Sequence, residues 1–372
     1  LAGSAALSIP DANPVLEGRL PREAARSWLV SARRTYYDLV ASRITDQDFP
    51  QFADVQTKGV WSPAAGKTLS VFGLRSRQDA ALDIEGDEAR GEFNDRTRND
   101  LLSLRFDATL GRSAQSRTIV SYSDSASTFG VDAAFRNQSQ RSNTPDEDAV
   151  GTANVQFERT LALRDVSLRQ ELSWLRGTHV VETGTELHGL RTNLVFDIRG
   201  DRNPNAVNGS SQQGGAGIPD QLFSRRDALR AGAWLLDRWQ AAARLSLEAG
   251  IRADRSGVND ELRLSPRLTA TYGLAGTTTL RAAVGRYTQS PGYEKLVQSD
   301  YVLDLSEANL RALRSEQALQ ASLGLEHALR GATMRVEGYY RRSSDMLVGR
   351  LETEAERQAR LAPYDFPASL AW

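Results

Sequence analysis

Apolar and polar residues alternate with period two along most of this chain, in segments of roughly ten residues. Leu102, Leu104, Phe106, Ala108 and Leu110 alternate with Ser103, Arg105, Asp107 and Thr109. The pattern recurs with Leu245, Leu247, Ala249 and Ile251 against Arg244, Ser246, Glu248 and Arg252, and with Leu280, Ala282 and Val284 against Arg281. It returns with Met334, Val336 and Tyr340 against Arg335, Glu337 and Arg341. Successive side chains of an extended strand point to opposite faces, so each segment predicts a strand with one apolar and one charged side. In a soluble sandwich the apolar side meets a shared core, whereas in a membrane barrel it meets lipid and the interior is polar. Alternation alone fits both.

The connections separate the two. Strands are predicted at 15–20, 26–41, 52–61, 68–77, 100–110, 117–136, 152–176, 180–197, 224–237, 240–253, 262–272, 278–288, 316–328 and 333–343. Short turns fall at 21–25, 62–67, 111–116, 177–179, 237–239, 273–277 and 329–332. Longer segments fall between them, at 42–51, 78–99, 137–151, 198–223, 254–261 and 289–315. An up-and-down barrel in an outer membrane alternates in this way, with short turns on the periplasmic side and long loops outside. The fold expected is therefore all-β: a transmembrane antiparallel up-and-down β-barrel, present in part as about fourteen strands of a barrel that reaches about 22 when it encloses a plug.

Aromatics fit that picture. Trp28, Tyr36, Tyr37, Trp61, Trp174, Trp234, Trp239, Tyr272, Tyr287, Tyr339 and Tyr340 fall near strand ends, where interfacial girdles hold them. Flexible external loops are expected near 78–99, 137–151, 198–223 and 289–315; the third carries Asn203-Pro204-Asn205 and Gly214-Gly215-Ala216-Gly217. Residues 304–320 and 352–360 have the composition of short loop helices.

The 372 residues carry a net charge of -1, no cysteine and two methionines. No window approaches the run of about 18 apolar residues that a transmembrane helix needs, which excludes a helical membrane protein but not a barrel, whose strand hydropathy averages out. A near-zero charge argues against a nucleic-acid partner. No secretory signal opens the chain and Leu1 is not a natural start, so a preceding segment is expected to have been lost. Pro363 and Pro367 spoil an alternating last strand before Trp372, so closing strands are expected to be missing too.

Few residues invite catalytic or metal chemistry. His179, His188 and His327 lack the convergent spacing that ligation requires and read as isolated strand or turn residues. Asp146-Glu147-Asp148 lacks the pattern of a calcium loop, and the glycines at 214–217 lack the Lys-Ser/Thr and strand-to-helix context of a phosphate cradle. No nucleophile elbow or carboxylate pair stands out, so neither an enzyme nor a cofactor or metal is expected. If the apolar side meets lipid, Arg105, Asp107, Arg244, Glu248, Arg252, Arg267, Arg281, Arg335 and Glu337 face the lumen, because charges on the lipid side cost about 2–4 kcal/mol near the midplane. They are expected to pair with one another or with a plug.

Three stretches resemble the barrel of TonB-dependent outer-membrane receptors. One runs from Leu264-Ser265-Pro266-Arg267-Leu268 to Tyr272, then after a tight turn through Thr279-Leu280-Arg281-Ala282-Ala283-Val284-Gly285-Arg286-Tyr287 to Gln289-Ser290-Pro291-Gly292. A second comprises Leu313-Arg314-Ser315-Glu316, Leu323-Gly324-Leu325-Glu326, Arg335-Val336-Glu337-Gly338-Tyr339-Tyr340 and Asp345-Met346-Leu347, with Ser315 where the family has proline. Leu16-Glu17-Gly18-Arg19-Leu20 followed by Ser27-Trp28-Leu29-Val30-Ser31-Ala32-Arg33-Arg34 is similar to the family's early barrel strands.

The resemblance implies that residues 1–372 are one partial barrel, with the plug domain and TonB box outside it. It implies import of a scarce nutrient, such as a siderophore, cobalamin or a glycan, with energy supplied by the TonB complex through the missing N-terminal region. Outer-membrane lipid and the nutrient ligand are the other implied partners, and the outer membrane of a Gram-negative-type bacterium is the implied location. Arg202, Tyr293 and Tyr301, as cationic or aromatic residues of the long loops, are the candidate ligand contacts. A plugless porin-like barrel, a barrel enzyme and a soluble β-rich binding module stand as alternatives; an upstream plug would separate the first from a receptor.

Overall fold

The computed structural model describes residues 2–8, 11–19, 26–36, 50–85, 89–136, 152–200, 221–291 and 313–346. The elements among them are all strands: β1 (Ala2–Leu7), β2 (Asp11–Arg19), β3 (Arg26–Thr35), β4 (Gln51–Ala64), β5 (Lys67–Glu85), β6 (Ala89–Leu110), β7 (Ala114–Arg136) and β8 (Thr152–Arg176). They continue with β9 (His179–Gly200), β10 (Gln221–Ala242), β11 (Leu245–Ser256), β12 (Glu261–Ala275), β13 (Thr278–Gln289), β14 (Glu316–Leu329) and β15 (Ala332–Ser344). They form one 15-stranded sheet in chain order, each strand antiparallel to its neighbours. This is the partial up-and-down barrel that alternation and loop lengths predict.

Two- or three-residue turns close β4–β5, β6–β7, β8–β9, β10–β11, β12–β13 and β14–β15 at one rim. Gly177 (φ 60°) and Gly331 (φ 80°) supply the left-handed conformation that tight hairpin turns need and that a side chain resists. At the opposite rim the connections after β3, β5, β7, β9 and β13 run through residues outside the described set.

Three expectations are corrected. The described residues of segment 78–99 are paired strand, from Asp79 opposite Arg96 to Glu85 opposite Arg90. Here Ala80, Leu82 and Phe93 fall on the parity of the charged face and Asp79, Asp83 and Glu92 on that of the apolar face, so the period-two contrast reverses although backbone pairing continues. The turn expected at 237–239 lies at 243–244, and β10 runs through Asp237, whose Oδ2 meets His179 Nδ1. A strand at Ala2–Leu7 was not predicted, since a small-residue run carries no alternation.

Register sorts the side chains onto two faces. Val71, Leu104, Val120, Leu168 and Leu187 stand opposite one another in a row across five strands. All five are exposed, at 38–46%. A second row joins Ala249, Leu268, Val284, Ala321 and Tyr340. Among the described residues Leu194 is the one large side chain that is fully buried. A soluble sandwich of this size would hide these rows in a core, and an apolar surface so extended calls for lipid. Trp28, Trp61, Trp174, Trp239 and Tyr272 lie on this apolar face near the short-turn rim, as a girdle requires.

Candidate functional site

The opposite face is built from charge. Asp107 on β6 accepts hydrogen bonds from Arg105 Nε at 2.6 Å and from Arg117 Nε on β7 at 2.8 Å. Arg117 reaches Glu171 on β8 at 3.3 Å, and Glu171 accepts from Arg169 Nε at 2.7 Å. Arg169 lies 3.6 Å from Glu186 on β9, which Arg252 of β11 also contacts, and Arg252 Nε donates to Asp254 at 2.9 Å. Each link joins residues directly opposite in register or two apart on one strand, except the last step from β9 to β11, which passes over β10.

That step needs an empty position. Gly232 stands between Glu186 and Asp254, and a Cβ there would lie 2.6 Å from Arg252 Nη2 and 2.9 Å from Asp254 Oδ1. Gly184 performs a similar task for Trp234, whose ring would be 2.2 Å from an added Cβ. Trp234 thus lies flat on the polar face with Arg169 and Arg252 at 4.9 and 5.4 Å from its ring centroids, so both cations gain a π face as well as their carboxylates. Exposed ion pairs contribute about 0–1 kcal/mol each, so the ladder does more to fix the positions of charges than to stabilise the sheet.

Beside the ladder is a recess of about 370 Å³ lined by Asp165, Glu186, His188, Arg230, Asp254 and Arg263. His188 Nδ1 is 2.9 Å from Asp165, and Arg230 donates to the Pro291 carbonyl at 3.1 Å. At its rim the buried Ser315 donates its backbone N–H to Glu261 at 2.8 Å. Nearer the long-connection rim, Phe93, Phe129 and Phe157 of β6, β7 and β8 meet edge to face at 4.7 and 5.7 Å, with Arg159 over the Phe129 ring. By strand parity they share the face of Arg105.

Arg105, Asp107, Glu248, Arg252, Arg267, Arg281, Arg335 and Glu337 stand on this polar face by register. Arg238 lies 3.2 Å from Glu248, Arg281 lies 3.9 Å from Glu326, and Arg335 contacts Glu337 at 2.8 Å. Arg244 does not join them: it sits in the β10–β11 turn, because that turn falls later than expected. Arg202, Tyr293 and Tyr301 lie outside the described residues, as do Asp146-Glu147-Asp148 and the glycines at 214–217. Sequence reasoning missed Arg117, Arg169, Glu171, Glu186 and Trp234; parity within 152–176 would have found Arg169 and Glu171. Trp234, Tyr287 and Tyr339, grouped with the girdle by sequence, turn to the polar face. Among the described residues no three His, Asp or Glu side chains converge as metal ligands. His179 pairs with Asp237 at 2.8 Å and stacks on Trp239, and His327 Nδ1 is 2.8 Å from Thr278 Oγ1.

Strands in chain order, an exposed apolar face and a charged opposite face define a transmembrane up-and-down β-barrel. Residues 31–358 match the family model for the TonB dependent receptor-like β-barrel, and the chain belongs to that family. The family's members are transporters and not enzymes. No curated protein matches the sequence. Among solved structures, a mutant of the ferric enterobactin receptor of Pseudomonas aeruginosa is 16% identical at a TM-score of 0.60, over 92% of this chain and 52% of that one. The siderophore receptor PirA of Acinetobacter baumannii is 14% identical at 0.58, over 88% and 49%. The copper transporter OprC is 17% identical at 0.56, over 91% and 51%. The chain spans about half the length of these proteins.

Proposed function

We propose that this chain forms much of the wall of an outer-membrane receptor that imports a scarce nutrient, with the polar face lining the lumen and a plug seated against it. The observation that supports this is the ladder from Arg105 to Asp254, which alternates charges from five strands on one face while the other face carries the apolar rows. In an energised receptor such a wall gives a plug carrying both signs of charge many alternative partners of similar strength, so the plug can shift without leaving a charge unpaired. The nutrient is captured at the long-connection rim, near the phenylalanine cluster, and TonB acts on the plug. The solved relatives named for a ferric siderophore or copper make a metal or metal chelate the first class of nutrient to test.

The 372 residues contain no cysteine, so a cysteine introduced among them reports orientation directly. In the full-length receptor, single cysteines replacing Leu104, Leu235 or Leu323 should react only with a membrane-soluble maleimide, and those replacing Ser103, Ser167 or Ser322 only with a water-soluble one. The reverse pattern would overturn the assignment of faces. Nutrient-limited growth that requires both the receptor and TonB supports energised import; a steady open conductance in planar bilayers points instead to a plugless pore.

A further inference from the structure

On β6 the apolar face runs from Leu102 to Leu110, about 27 Å along the strand at ~3.3 Å per residue, or about 20 Å once a tilt of roughly 40° is allowed for. Beyond Leu102, toward the long-connection rim, the same face changes abruptly to charge. Arg75 and Arg98 flank Asp100 at 2.8 and 3.3 Å, Arg96 lies 2.8 Å from Asp79 beside Arg77, and Arg191 lies 2.7 Å from Asp227 beside Arg225. Arg164 meets Asp124 at 3.0 Å. Across β5 to β10 this tier sets seven arginines against four aspartates, and the arginine side chains are 40–71% exposed. Farther out, Asp83, Glu92, Asp132 and Glu158 make the same face acidic, so the cationic excess is confined to the tier beside the apolar band.

The height of that tier identifies what it meets. Asp100 and Arg98 lie about 7 and 13 Å along the strand from Leu102, or roughly 5–10 Å outward, which is the depth of a headgroup layer. Side chains there point away from the polar face and cannot reach a plug or a nutrient in transit. Most carboxylates in the tier are shared between two guanidiniums, which leaves donors over for a further anion, and a guanidinium fork matches phosphate oxygens two at a time.

We propose that this arginine belt binds the phosphate groups of phosphorylated lipids in the leaflet at the long-connection rim. The proposal rests on the outer-membrane reading above, and it adds a second ligand surface on the outside of the barrel.

The test compares the full-length receptor with an Arg75→Gln, Arg98→Gln, Arg164→Gln, Arg191→Gln variant, both folded in zwitterionic detergent. Each is titrated with diphosphoryl lipid A, with its dephosphorylated form and with inorganic phosphate, and binding is read by native mass spectrometry and by the shift in unfolding temperature. The wild type should bind the phosphorylated lipid about tenfold more tightly than the variant does, with no difference for the dephosphorylated lipid. Equal binding of the phosphorylated lipid by both proteins overturns the proposal. So does inorganic phosphate competing as well as the lipid, which would make the belt a site for soluble anions. If the fourfold variant does not fold, Arg98→Gln and Arg164→Gln singly carry the same comparison, each with an expected loss of about twofold. Flotation with phosphatidylcholine vesicles separates the two readings: a wild type that does not insert refutes the membrane assignment, whereas insertion with indifference to lipid phosphate refutes the belt alone.

Discussion

Two glycines decide whether the polar face can be built. A Cβ at Gly184 would lie 2.2 Å from Trp234 Cζ2 and 2.6 Å from the Gln170 carbonyl, and backbone cannot swing aside as a side chain can. Gly184→Val should therefore destabilise the folded receptor by about 1–3 kcal/mol in urea unfolding from detergent. Trp234→Ala leaves the fold but removes the ring shared by Arg169 and Arg252; a loss of about 1–2 kcal/mol is expected in the same measurement. Ser315→Pro removes the N–H that Glu261 accepts, at a cost of about 1–3 kcal/mol because the acceptor is charged. An unchanged unfolding midpoint for Ser315→Pro would show that Glu261 finds another donor. Period two assigns Trp234 a side but not its neighbours, and nothing in a linear pattern shows that Gly184 lies beneath that ring.

At the scale of the strand, the apolar and polar faces predict opposite tolerances. Leu104→Arg places a charge on the lipid side and should cost about 2–4 kcal/mol, with little heat-modifiable folded protein recovered, while Ser103→Arg one position away should fold nearly as the wild type does. Equal recovery of the two variants would contradict the assignment of faces. Strand bounds were legible where the contrast between faces is strong, as at Thr152–Arg176, which reading and structure place identically. They were not legible where the two faces exchange character, as in the outer parts of β5 and β6, because the ladder there is held by backbone bonds and cross-strand ion pairs. Asp237 misled for a related reason. A carboxylate on an apolar face looks like a break until His179, 58 residues earlier, is seen to meet it.

For the whole molecule, β1 and β15 end the sheet and each pairs with a single neighbour, while β6 to β9 pair on both sides along their length. Amide exchange on the 372-residue chain folded in detergent should therefore be slowest in β6 to β9 and fastest in β1 and β15. Uniform protection would mean that some further pairing covers the edges.

By itself, the sequence determined the class of fold, the strand direction and which side of each strand is charged, because those follow from backbone geometry and local periodicity. It placed Arg105, Asp107 and Arg252 on the charged side of their strands without showing what they touch. Only the tertiary structure decided that these charges join through Arg117, Glu171, Arg169 and Glu186, that Gly232 opens the way across β10, and that the arginines beyond the apolar band share one tier. Those relations depend on the stagger between strands, and register is fixed jointly by all the turns and bonds of the sheet.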